Sequence, residues 1–191
     1  MTSSSKVNRV VIKINSNIYL SSKLSMSFIT STILLMRDYQ KNNNIKGQCV
    51  TNSQYLYDFI KQNYPEKKVI AKPVIVICNN DTENYSASII HMVVYDEETK
   101  TIYEPSHELD SLPNTYYFDS IHSLKKSVDN ITKEDMLYVI PRFLNFITLA
   151  ESINNGDLVI TNKEFYDKQA DFIEKTYYDL SPKSTNQSKS K

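Results

Sequence analysis

Cys49 is the residue in this chain best placed to do chemistry. It stands in Lys46-Gly47-Gln48-Cys49-Val50-Thr51-Asn52, where a polar loop with three consecutive Asn gives way to an amphipathic stretch. Leu56, Phe59 and Ile60 share one face, which predicts a helix from about Cys49 to Tyr64, with Pro65 just past its end. A thiol at a helix start lies at the positive end of the macrodipole, beside backbone N–H groups that lack intrahelical acceptors. Both features favour the nucleophilic thiolate, and the same N–H groups could bind an oxyanion. Gly47 is one of only two glycines, and it stands where the backbone must turn sharply or let a substrate approach. The structural alternative is a small buried residue near a helix start. Cys78 reads that way: it ends the apolar run Val74-Ile75-Val76-Ile77-Cys78, with no helix start beside it.

His91 lies in Ser88-Ile89-Ile90-His91-Met92-Val93-Val94-Tyr95 and by strand alternation shares a face with Ile89, Val93 and Tyr95. A ring buried there needs a polar partner. Asp96-Glu97-Glu98 separates this run from a shorter one, Thr99 to Glu104, which is a hairpin signal. A turn centred between Glu97 and Glu98 pairs Asp96 with Thr99, Val93 with Ile102 and His91 with Glu104. A one-residue bulge would shift the partner to Tyr103 or Pro105. A carboxylate opposite the ring could hold it in the tautomer a general base needs. The alternative is a structural His–Glu pair. His107 and His122 compete for the role of base, but both sit in polar surroundings and read as solvated. The three His and two Cys are scattered, without the short spacings of zinc sites, so no metal is expected.

These residues need elements to carry them. Val10 to Ile14 reads as a strand and Ser22 to Gln40 as a helix with Leu24, Phe28, Ile29, Ile33 and Met36 in its stripe. Val69 to Cys78 reads as one strand interrupted by Pro73, or as two short ones, and Ala87 to Tyr95 as the next. Thr132 with Asp135 three residues on marks a helix start, and Pro141 is expected to open a further helix. Phe143, Phe146, Ile147, Ala150 and Ile153 form that helix's buried stripe, and Gly156 suits its end. A last helix runs from about Lys163 to Tyr178. This order predicts an α+β fold, as a single domain over 7–180 with polar tails at 1–6 and 181–191.

Composition excludes several classes. With 22 basic and 22 acidic residues the chain has no net charge, which argues against non-specific nucleic-acid binding. Two glycines rule out the Gly-rich phosphate loops, so no nucleotide cofactor bound through them is expected. The best membrane candidate, Ser27 to Met36, is ten residues long and holds three further hydroxylated residues, against the roughly 20 apolar residues a bilayer requires. Two cysteines cannot make a disulfide framework, so an intracellular, cytoplasmic protein is expected. Abundant Asn, Lys, Ile, Ser and Tyr are usual in AT-rich genomes, giant DNA viruses among them.

Cys, His and a carboxylate in this order, on a helix start, a strand and the next strand, resemble the transglutaminase-like branch of the papain-like cysteine enzymes. Gly47-Gln48-Cys49 is similar to that branch's Gly-x-Cys. His91 follows 42 residues later, and Glu104-Pro105-Ser106, 13 residues beyond it, is similar to the acid–Pro–hydroxyl element. The resemblance covers roughly 45–108. Glu stands where the family usually has Asp, and Val93 replaces the aromatic residue common two positions after the His. The resemblance implies a papain-like core, with the nucleophile helix packed on a small antiparallel sheet and extra helices towards the C-terminal end. It implies no cofactor, and a Cys49–His91–Glu104 triad that cleaves a peptide or isopeptide bond of a protein or peptide substrate. A side-chain amide upstream of the nucleophile is then expected to help bind the oxyanion, with Gln48, Asn43 and Gln40 as candidates. The alternative, motivated by 14 Tyr, is an inactive papain-like binding or virion-associated module.

Overall fold

The computed structural model describes residues 28–79, 85–112, 114–129, 131–157 and 162–180. The expected strand at Val10–Ile14 lies outside them. Nine elements follow one another: α1 (Phe28–Asn42), α2 (Cys49–Asn63), β1 (Val69–Asn79), β2 (Tyr85–Asp96), β3 (Thr101–Tyr103), β4 (Thr115–Phe118), α3 (Ile121–Ser127), α4 (Lys133–Asn154) and α5 (Lys163–Leu180). This is an α+β arrangement around a four-stranded antiparallel sheet of order β3-β2-β1-β4.

Strand alternation divides the core into two layers. Val69, Ala71, Ile75 and Ile77 of β1, with Ile90, Met92 and Val94 of β2, pack towards the helices, against Leu56 and Ile60 of α2 and Val139, Phe143, Ala150 and Ile153 of α4. Val74, Val76 and Cys78, with Val93, pack towards the other face, where Tyr117 of β4 lies beside them and Leu109 joins the cluster. His91 belongs to this second face by the same alternation. β1 runs unbroken through Pro73, because β4 pairs only with Ile75–Cys78 and Pro73 faces a partner strand on the β2 side alone.

The hairpin register differs from expectation. Val94 pairs with Tyr103, Tyr95 with Ile102 and Asp96 with Thr101, so the loop is Glu97–Lys100 and the second strand starts two residues later than predicted. The cause is the Asp96 side chain. Its Oδ1 accepts the backbone N–H of Glu98 and of Thr99, both at 3.0 Å, which requires a longer loop, and Lys100 closes it at φ 58°.

α4 also departs from the reading. Its capping box is as predicted, with Asp135 N–H donating to Thr132 Oγ1 and Thr132 N–H donating to Asp135. Yet Pro141 lies inside the helix and opens none. Met136, Val139, Phe143, Ala150 and Ile153 form one continuous buried stripe, while Pro141 is exposed on the opposite side. Among the described residues α4 is the one helix long and apolar enough to cross a membrane; here that buried stripe packs along β1 and β2.

Candidate functional site

α2 begins at Cys49 because the chain before it turns through Gly47, whose φ of +70° is left-handed and favours glycine. The N-cap residue Gln48 makes no side-chain cap hydrogen bond, so no side-chain oxygen competes for the helix end beside the sulfur. One turn on, Ser53 Oγ donates to the carbonyl of Met92 at 2.9 Å, tying α2 to β2 one residue from His91. β3 pairs with β2 only over Val94–Asp96, so β2 has no strand neighbour on that side at His91. The start of α2 and the segment after β3 approach the ring there.

Cys49, His91 and Glu104 come together. His91 Nε2 lies 3.0 and 2.9 Å from the two carboxylate oxygens of Glu104, while the Cys49 sulfur lies within 4.8 Å of a ring nitrogen. Cys49 is 8% exposed, and the side chains of His91 and Glu104 are 1% and 9% exposed. Burial by itself would push the imidazole pKa down; the Glu104 charge and the closeness of Cys49 and Glu104 outweigh it and hold the ring well above the usual imidazole range. Glu104 is held by donors of its own: Ser106 N–H at 2.9 Å and Tyr117 Oη at 3.5 Å. Burial, then the Glu104 charge, pushes the Tyr117 phenol up, so it stays a neutral donor.

The three amides considered for an oxyanion have separate fates. Gln40 is buried, and its Nε2 donates to Asn52 Oδ1, Pro105 O and Gln169 Oε1, each at 3.0 Å. Its Oε1 accepts His107 N–H. Both amide hydrogens are thus used inside the protein, and Gln40 serves to clamp the 105–107 segment, not to meet a substrate. Asn52 completes the clamp by donating to Ser106 Oγ at 3.0 Å. Asn43 is exposed and donates to the Tyr39 carbonyl at the end of α1. Gln48 accepts from Thr51 Oγ1 at 3.5 Å, and its Nε2 makes no hydrogen bond among the described residues. It is the upstream amide with a donor to spare.

His122 is exposed, as expected. His107 is half-buried instead of fully solvated: its Nε2 is buried without a partner among the described residues, and burial pushes its pKa down. Cys78 is a buried strand residue whose thiol burial pushes up.

Sequence reasoning missed Glu108. Its Oε2 accepts Gly47 N–H at 2.6 Å, and its Oε1 lies 3.9 Å from His91 Nδ1. Cys49, His91 and Glu108 offer a sulfur, a ring nitrogen and a carboxylate oxygen that all lie within 4.8 Å of one another, a set that no short sequence spacing announces. Its side chain is 22% exposed. Such a group can support acyl transfer through the thiol or hold a soft divalent cation. No family model, curated protein or solved structure matches this chain.

Proposed function

We propose that this protein is an intracellular thiol-dependent hydrolase of peptide or isopeptide bonds, with a papain-like core of the transglutaminase-like type. The observation that carries the reading is the ring of His91, fixed at Nε2 by both oxygens of Glu104 with the Cys49 sulfur within 4.8 Å of a ring nitrogen. That is a nucleophile, a base and an orienting carboxylate in sequence.

The thiol proton passes to His91 as Cys49 Sγ bonds to the substrate carbonyl carbon. The oxygen of the tetrahedral intermediate takes hydrogen bonds from the Cys49 backbone N–H and Gln48 Nε2. Collapse breaks the C–N bond, and His91 returns its proton to the departing amine. Water, deprotonated by His91, then releases the acid and regenerates the thiol. Glu104 keeps the ring oriented and balances the imidazolium charge.

Labelling with an iodoacetamide probe tests this. The wild type and Cys78→Ala should label at the same rate, whereas Cys49→Ala should lose essentially all labelling at neutral pH. Equal labelling of Cys49→Ala and Cys78→Ala would overturn the assignment of the activated thiol.

A further inference from the structure

Glu108 has no part in the proposed triad, yet it is held next to it. One carboxylate oxygen is anchored by the Gly47 N–H at 2.6 Å, and the other faces His91 Nδ1 at 3.9 Å. Since Nε2 is engaged by Glu104, Nδ1 is the ring nitrogen on the Glu108 side. Thiolate, imidazole and carboxylate are the donors that Zn²⁺ takes, at about 2.0–2.3 Å in a tetrahedron, which sets donor–donor separations of about 3.3–3.8 Å. Separations within 4.8 Å leave each pair to close by at most about 1.5 Å around an ion. Magnesium and calcium, which want oxygen donors throughout, suit the set poorly.

The outer shell is also that of a zinc site. A metal-bound histidine usually donates its other ring N–H to a carboxylate, and Glu104 occupies that place for His91. Glu104 is itself braced by Ser106 N–H, and Glu108 by Gly47 N–H. Three protein ligands leave the fourth tetrahedral position open.

The geometry points to a reversible inhibitory zinc site formed by Cys49, His91 and Glu108. Binding releases the one proton that the thiol and Nδ1 exchange, and the sulfur and nitrogen lone pairs then serve the metal. While zinc is bound, the sulfur cannot attack a carbonyl and the ring cannot accept its proton. The inhibitory meaning rests on the proposed thiol chemistry; the binding itself does not.

The experiment uses the full chain, stripped with chelator and titrated with Zn²⁺ by calorimetry and with Co²⁺ by absorption. The wild type should bind one equivalent and show a near-ultraviolet thiolate-to-cobalt charge-transfer band, which needs no variant to report the sulfur ligand. Cys49→Ser should lose the band, and Glu108→Gln should weaken zinc binding at least about tenfold. His122→Ala, at an exposed ring, should leave the affinity unchanged. Zinc should block iodoacetamide labelling of Cys49, and chelator should restore it. No stoichiometric binding, or equal affinity in wild type, Cys49→Ser and Glu108→Gln, would overturn the site. The two readings fail separately: slow, unselective labelling of Cys49 in the metal-free chain removes the enzyme while the cobalt band still reports the metal site.

Discussion

Glu104 reaches His91 along a diagonal of the hairpin, and its length closes the gap. Continuing the observed register sets Glu104 opposite Val93, two residues along the same face from His91. Diagonal neighbours lie about 7–8 Å apart, a span that a long side chain crosses and a short one does not. The glutamate in a place where the resembled family usually has aspartate therefore matches the backbone that carries it. Glu104→Asp shortens the side chain by about 1.5 Å, and Ser106 N–H and Tyr117 Oη hold the shortened carboxylate back from the ring. Turnover of a p-nitrophenyl ester should fall roughly 10²-fold, mostly in kcat, because a misplacement near 1 Å costs about that much. Unchanged turnover in Glu104→Asp would sink the positioning account. The sequence made Cys49 and His91 visible through their settings, a polar loop meeting a helix and a polar ring in an apolar run. It named Glu104 through a register that proved two residues out; the cross-strand pairing did not hold, but the contact did, because a shift of two preserves the face. Glu108 left no such trace, since it lies in the turn after Ser106, where neither helical nor strand period marks a direction.

Elements were legible where burial and local signals agree. α2 was, because its apolar stripe, the polar loop before it and Pro65 after it all point to the same limits. β4 was not, because four residues between turns carry too short a pattern. At Pro141 two principles compete. A proline inside a helix costs about 3 kcal/mol relative to Ala, whereas each large apolar side chain buried contributes roughly 1.5–3 kcal/mol. The stripe from Met136 to Ile153 outweighs the proline, and the carbonyl it leaves unpaired, that of Leu137, belongs to an exposed residue that water can serve. Pro141→Ala should therefore stabilise the protein. The gain of about 3 kcal/mol in the helix is offset by about 0.4–1 kcal/mol from the freer unfolded chain. A net gain of about 2 kcal/mol corresponds to a rise of roughly 4–8 °C in Tm. A thermal melt showing no rise would mean that the helix is bent at Pro141 in a way the core depends on.

At the scale of the whole molecule, the site sits where a helical layer and a loop-covered sheet face meet, and the place of its carboxylate follows from one turn. The hairpin loop sets how far the chain travels before Glu104, and Asp96 sets the loop. Its buried carboxylate accepts two backbone N–H groups, with Lys67 Nζ at 3.0 Å and Tyr103 Oη at 3.4 Å completing its shell. Burial by itself would raise the carboxyl, but the Thr99 N–H, Lys67 and the Glu98 N–H outweigh it and hold the pKa below the ordinary 3.8. A carboxyl depressed in the folded state binds its proton more readily when unfolded. It therefore contributes stability that is present above the unfolded value and is lost as pH falls through the folded one. Asp96→Asn keeps the shape and most of the turn's acceptors but loses the charge, so it should cost on the order of 2 kcal/mol at neutral pH. Urea midpoints of the two proteins should differ by a constant amount down to about pH 5 and converge as the pH drops below the ordinary carboxyl value, because the wild type then loses the charge that the variant lacks. A gap that stays constant through that acid range would show that the turn is held by its hydrogen-bond geometry alone, and that the charge of Asp96 plays no part in placing Glu104 beside His91.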